Sequence, residues 1–297
     1  MTLKTLTIFT PAYNRAHTIG RTYESLVRQT CMDFEWLIID DGSTDNTKEF
    51  VDQWMTLDNG FNIEYIWKEN GGLHTGYNKA IELIETELCV CVDSDDYMPD
   101  NAVKLIINTW KEKAEEDVAG IIGLDFFVDG TPLGGWFPNI EKCHAYDLDF
   151  KYNHNFDVKY VARTALLKKV APQPTYNNEK NFNPHYMFTQ IDIEYKWIIL
   201  NENLCYVDYQ LDGMANNIYK QYTNSPNSFA AQRILNLQIP SPLSYKVKQY
   251  IHLCSSAILS KNYSWMMKAP CPIFSIIVFP LGLMLSKYIK YRSIRND

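Results

Sequence analysis

Five short apolar runs alternate with four stretches of helical periodicity over roughly the first 125 residues, and this alternation restricts the fold more than any other feature. Residues 6–10, 36–39, 63–67, 88–92 and 119–126 read as buried strands. Between them, apolar side chains recur at helical spacing. The stripes are Ile19, Tyr23, Leu26 and Val27; then Phe50, Val51, Trp54 and Met55; then Tyr77, Ala80, Ile81 and Ile84; then Val103, Ile106, Ile107 and Trp110. Pro99 suits the first position of the last helix. Strands that alternate with helices in this way give an α/β fold with a doubly wound, mostly parallel sheet flanked by helices.

The unusual residues fall after the strands. Thr10-Pro11-Ala12-Tyr13-Asn14, Asp40-Asp41-Gly42-Ser43, Lys68-Glu69-Asn70-Gly71-Gly72 and Asp93-Ser94-Asp95-Asp96 follow the first four in turn. In a parallel sheet these loops share one edge, the edge at which open α/β sheets bind ligands. Carboxylates at Asp93 and Asp95 are hard oxygen donors of the kind that magnesium and manganese prefer. A metal there would hold a diphosphate and neutralise it as it leaves. A solvated acidic turn capping the next helix is the ordinary alternative. No G-x-G-x-x-G follows the first strand, and no G-x-x-x-x-G-K-[ST] occurs in the chain. A dinucleotide dehydrogenase or P-loop ATPase is therefore not expected.

The chain has 297 residues and 46% of them are hydrophobic, which supports a sizeable core. A net charge of -7 argues against a nucleic-acid partner. Seven scattered cysteines with no C-x-x-C pair fit reduced, buried thiols in a reducing compartment. The apolar run before Pro11 is too short for a secretory signal, so a cytoplasmic location is expected. From about Gly130 the pattern loosens. Gly134-Gly135-Trp136-Phe137-Pro138 forms a glycine and aromatic loop, and residues 172–186 are rich in Pro, Asn and Tyr. The latter reads as a mobile lid, an acceptor-binding surface or an ordinary long loop. A helix and then a strand are expected over 191–209.

Four segments, in order, resemble family 2 glycosyltransferases of the GT-A type, as found among bacterial cell-surface polysaccharide enzymes. They are Pro11-Ala12-Tyr13-Asn14, Ile39-Asp40-Asp41-Gly42-Ser43-Thr44-Asp45, Asn70-Gly71-Gly72 with Asn78, and Val92-Asp93-Ser94-Asp95-Asp96. The resemblance implies a GT-A, Rossmann-like sheet and a UDP-sugar donor. It places Pro11 and Tyr13, with Asn14, at the base pocket. Asp40 would accept the uracil N–H with Asp41 close by, and Asn70, Gly71 and Asn78 would shape the pocket floor. Asp93 and Ser94 would lie by the ribose or sugar, with Asp95 and Asp93 on Mn2+ or Mg2+. His74 follows the glycine pair, as in some bacterial relatives. The base that deprotonates the acceptor is expected at His185, in Pro184-His185 where relatives carry Pro-Glu, or at Asp192, with Glu179 as a third candidate. The processive signature Q-x-x-R-W has no match in the chain, which favours transfer of a single sugar.

Residues 269–286 carry no charge, and 273–285 are almost wholly apolar although Pro280 and Gly282 interrupt them. Tyr263 and Trp265 precede this stretch; Lys287, Tyr288, Lys290, Tyr291 and Arg292 follow it. That pattern suits a membrane-interface anchor, and a buried terminal helix kinked at Pro280 is the alternative. The expected organisation is a transferase domain over 1–240, with a nucleotide-sugar half (1–125) and an acceptor half (126–240). A helical extension over 241–297 would then be membrane-associated. The expected reaction is inverting, metal-dependent transfer of one sugar to a saccharide or polyprenyl-linked acceptor. A sugar-nucleotide pyrophosphorylase is disfavoured because residues 10–15 hold no glycine. A non-catalytic nucleotide-sugar-binding or scaffold protein is the rival from another class.

Overall fold

The computed structural model describes residues 3–208 and 218–295. They divide into two compact units, one of residues 3–71, 75–172 and 191–208, the other of residues 72–74, 173–190 and 218–295.

The first unit follows the alternation in the sequence. β1 (Leu6–Ala12), α1 (Ile19–Val27), β2 (Phe34–Asp40), α2 (Thr47–Met55), β3 (Ile63–Trp67), α3 (Leu73–Leu83), β4 (Leu88–Cys91), α4 (Ala102–Lys113) and β5 (Val118–Phe127) come in turn. β6 (Lys142–Cys143), α5 (Ala145–Phe150), β7 (Val158–Arg163), α6 (Thr164–Val170) and β8 (Lys196–Val207) follow; α7 (His185–Asp192), just before β8, begins among the residues of the second unit and ends in the first. Eight strands form one sheet in the order β3-β2-β1-β4-β7-β5-β8-β6. β1 to β4 are mutually parallel, β7 runs against both β4 and β5, and β8 runs with β5 and against β6. Hence β1 to β5 and β8 share one direction, and the loops after β1, β2, β3 and β4 lie on one edge. Leu6, Ile8, Trp36, Ile38, Leu88 and Val90 are fully buried, as strands covered on both faces require.

Helix α1 buries the polar residues Thr22 and Ser25, and Gln29, just past its end, is buried with them. Their partners explain this. Thr22 Oγ1 donates to the Asp96 carbonyl at 2.7 Å, Ser25 Oγ accepts the Met98 N–H, and Gln29 bridges the Pro99 carbonyl and the Val103 N–H. The helix thereby pins the segment after β4.

In three places the structure departs from the apolar pattern. Val27, Phe50 and Met55 lie on helical stripes but are exposed. The helix expected from residue 191 begins at His185 and ends at Asp192, and the strand after it closes at Val207. Tyr209, the last residue of that expectation, lies outside the described residues.

The second unit is helical. α8 (Ile218–Asn224), α9 (Pro226–Asn236), α10 (Leu243–Leu259), α11 (Ser264–Met267) and α12 (Pro272–Arg295) belong to it. Its core includes Phe182, Leu253, Cys254, Trp265 and Val278. The helix α12 runs through Pro280 and, among the described residues, is the one helix long and apolar enough to cross a membrane.

Candidate active site

The first two loops on the carboxyl edge are tied to each other. Asn14 takes a positive φ of 54°, which lets its Oδ1 accept the Thr44 N–H at 2.8 Å while its own N–H reaches Ser43 Oγ. The N–H groups of Arg15 and Ala16 donate to Thr47 Oγ1 and Asp45 Oδ2. Two backbone turns are thus held by side chains of the neighbouring strand's loop.

Asp40 and Asp41 have separate tasks. Asp40 has no exposed surface; its carboxylate accepts the Ser43 N–H and the Tyr65 hydroxyl. Burial, and then the hydrogen bond and charge of Asp40, push the Tyr65 hydroxyl far above its ordinary range. Asp40, expected from the resemblance to meet a uracil ring, here closes the turn through Ser43 and Tyr65. Asp41 accepts Lys68 Nζ and the Gly71 N–H, and its carbonyl accepts Asn70 Nδ2. Lys68 also donates to Thr75 Oγ1 at 2.8 Å, so one cation joins the loops after β2 and β3. Gly42 sits at φ 86°, and a Cβ there would lie 3.0 Å from the Asn70 nitrogen. Left-handed backbone and close approach together require glycine at that position.

Pro11 is buried at the end of β1, opposite Ile39, whereas Tyr13 beyond it is 49% exposed. Only Tyr13 of the pair presents a ring to solvent. Asn78 is half-buried on α3.

At the end of β4, Asp93 is exposed, Ser94 buried and Asp95 half-buried. Burial and then the charge of Asp93 raise the Asp95 carboxyl above its ordinary value, with Arg15 and Arg21 opposing. Two like charges this close are relieved by a divalent cation, so this pair fits one. Among the described residues no cluster of three or more His, Cys, Asp or Glu forms a cage. An ion here would take its remaining oxygens from water and substrate phosphates, as magnesium commonly does. Arg21 donates to the Asp95 carbonyl at 2.9 Å and pairs with Asp208 at 2.8 Å, so its position is fixed.

Beneath this pair lies a buried cation that sequence reasoning missed. Lys159 on β7 is 3.8 Å from Asp96 and 3.6 Å from Asp125 on β5. Burial raises both carboxyls, Asp125 to about 6. The visible signal was a charge inside each of two apolar strands.

The base candidates part company. Asp192 belongs to the first unit and lies ahead of the amino end of β8, on the sheet edge opposite Asp93 and Asp95. Its carboxylate accepts the N–H groups of Ala145 and Tyr146 and Trp197 Nε1. Burial raises it to about 6 despite those donors. The structure does not bring it to the four loops. His185 belongs to the second unit and is exposed in the first turn of α7, where the Asn183 side chain accepts its N–H. Glu179 is buried and accepts four bonds, from the backbone and side chains of Asn227 and Ser228. It caps α9 and completes no acid–base pair. His74 is buried near Phe182 within the second unit.

A family model described as glycosyl transferase family 2 matches residues 7–169, more than half the chain. The chain belongs to glycosyl transferase family 2. The match includes all four loops. Among curated relatives, the chondroitin synthase of Pasteurella multocida is 36% identical over 102 residues, which are 34% of this chain and 10% of that enzyme. The glycosyltransferase GlyG of Streptococcus pneumoniae is 31% identical over 116 residues, 39% of this chain and 38% of the relative. The chain thus spans well under half the length of either relative. Solved structures carry the fold further. S. aureus TarS 1-349, in complex with UDP-GlcNAc, superposes with a TM-score of 0.64 at 17% identity, covering 98% of this chain and 89% of that one. The mannosyltransferase PcManGT from Pyrobaculum calidifontis, in complex with GDP-Man and Mn2+, gives 0.58 at 16% identity, covering 99% and 84%. The GT-A fold expected from the sequence is therefore the fold of this family 2 chain.

Proposed function

We propose that this chain transfers one sugar from a UDP-sugar, with inversion, to a saccharide or polyprenyl-linked acceptor in surface polysaccharide assembly at the inner face of the cell membrane. The observation that carries the proposal is the carboxyl edge of β1 to β4. Three cross-tied loops lie there, and the loop after β4 on the same edge carries Asp93 and Asp95 with Arg21 fixed against the Asp95 carbonyl. Tyr13 offers a flat wall for the base. Asp93 and Asp95 would hold Mn2+ or Mg2+, which supplies charge neutralisation to a departing diphosphate. Arg21, held by Asp208 and the Asp95 carbonyl, adds positive charge at the same place. A related fold accepts GDP-Man, so nucleotide choice is open to a direct test. Calorimetric titration should give tighter binding for UDP than for GDP, and the reverse order overturns the base assignment. Release of UDP from a donor panel only when acceptor is present separates a transferase from a non-catalytic binding protein.

An inverting displacement needs a base on the acceptor hydroxyl. We assign His185, an exposed residue in the first turn of α7 and of the side-chain type that most often serves as general base. Asp192 instead clamps three N–H donors. His185→Ala should lower kcat by roughly 10²–10⁴ with UDP affinity and Tm unchanged. Asp192→Ala should chiefly lower Tm, because each orphaned buried donor costs about 1–3 kcal/mol. A large kcat loss at unchanged Tm in the Asp192 variant, with none at His185, reverses the assignment.

A further inference from the structure

Helix α12 is inside out for a helix that packs on a protein. Its buried positions are Ser275, Val278, Gly282, Ser286 and Ile289, mostly small or polar. Ile273, Ile276, Ile277 and Met284 lie on the opposite side and are between 61% and 70% exposed. A helix at a water-facing surface normally shows the reverse arrangement. The small residues allow close approach. A Cβ on Gly282 would lie 2.4 Å from the Cys254 Cβ on α10, and Cys254 Sγ reaches the Ser275 carbonyl. Small residues at the seam with large apolar ones facing outward is the packing pattern of helices in lipid.

The charge of this region differs from that of the chain. Residues 218–295 hold ten of the chain's 28 basic residues and none of its 35 acidic ones. Two of the cations, Lys287 and Lys290, are exposed directly beyond the apolar stretch, next to the exposed rings of Tyr288 and Tyr291. Apolar side chains followed by tyrosines and lysines match acyl chains, interface and anionic headgroups in that order.

Both ends of α12 are fastened to protein. Near its start Phe274 packs on Tyr250 of α10; near its end Tyr288 meets Tyr219 and Ser293 meets Thr223, both on α8. A helix covered along one side over its whole length cannot cross a bilayer without taking α8 and α10, with Lys220, Lys246 and Lys248, into the hydrocarbon.

We infer that α12 lies flat on an anionic lipid bilayer, inserting Ile273, Ile276, Ile277 and Met284 and setting Lys287 and Lys290 among the headgroups. This rests on the membrane placement proposed above and specifies its mode and its lipid chemistry. Such a surface would hold a lipid-linked acceptor in the plane where the enzyme works.

Co-sedimentation of the full chain with vesicles tests it. Vesicles with about 30 mol% phosphatidylglycerol should bind at least roughly tenfold more protein than pure phosphatidylcholine, and about 0.5 M salt should release much of it. Ile276→Glu with Ile277→Glu should abolish binding while UDP affinity and the melting curve stay unchanged, since both side chains are already exposed. Lys287→Gln with Lys290→Gln should weaken binding to the anionic vesicles several-fold and leave the pure phosphatidylcholine baseline unchanged. Equal binding by these variants, no preference for anionic lipid, or a bound fraction that resists both salt and alkaline wash would overturn the inference. So would a dimer that the glutamates dissociate, with no vesicle binding by any form. UDP release is measured separately, so vesicle binding without turnover removes the transferase reading and leaves the docking face standing.

Discussion

Asp95→Asn should lower kcat/KM for the donor by about 10²–10³-fold, the scale seen when one preorganised electrostatic contact to a developing charge is removed. The change keeps shape and deletes charge. The Arg21 contact is made by the Asp95 backbone carbonyl, which the substitution leaves in place. Asp95 is half-buried and its carboxyl is raised by burial and by the charge of Asp93, so asparagine there relieves a repulsion in the free protein. The melting temperature should therefore hold or rise slightly while activity falls. A second readout isolates the metal. Titration of Mn2+ in the presence of UDP should show a binding event in the parent chain that is lost in the variant. Full turnover by Asp95→Asn, or undiminished activity of the parent chain in excess chelator, would remove the metal from the mechanism.

The half of the molecule that binds donor in this reading was legible because burial on both faces makes parallel strands continuous apolar runs. Each such run ended where the chain turned to Asn, Asp or Gly, so the loops announced themselves. The residue roles inside those loops were less legible. Asp40 and Asp41 look equivalent on paper, yet one closes a turn on Ser43 and Tyr65 and the other receives Lys68. Only the third dimension assigns those partners. The same holds for Asp192 and Glu179. Both are carboxylates downstream of the D-x-D segment, and both are consumed by backbone N–H groups that no spacing rule reveals. Beyond residue 130 the loops are long and the β5–β8 pairing carries register shifts, so the apolar pattern puts the start of α7 several residues late. The outward isoleucines of α12 were visible only as an apolar stretch; which side faced protein depended on Ser275, Gly282 and Ser286, residues that sequence reading treats as interruptions.

The buried triad of Lys159, Asp96 and Asp125 gives the largest expected effect on stability. Lys159 lies among carboxylates in the interior, and among the described residues Asp96 and Asp125 are the two within ion-pair distance. Removing one partner of a buried pair typically costs about 3–5 kcal/mol, because the other charge stays desolvated. Lys159→Met fills similar volume and should destabilise the chain by that order. The loss should depend on pH in a defined direction. In the parent, burial raises Asp125 to about 6, with Lys159 opposing. An unfolded aspartate titrates near 3.9. A carboxyl raised in the folded state contributes stability that is complete below about pH 4 and is lost as pH rises through the folded value. Without Lys159 the folded value moves higher still, so the loss continues further up the scale. The Tm difference between parent and variant should therefore be small near pH 4 and widen steadily toward pH 7. Adding Asp125→Asn to Lys159→Met should recover much of the difference, since the amide needs no counter-charge. A Tm difference that is flat across this range, or a double variant no more stable than the single one, would show that Lys159 acts by packing and not as the cation beneath Asp93 and Asp95.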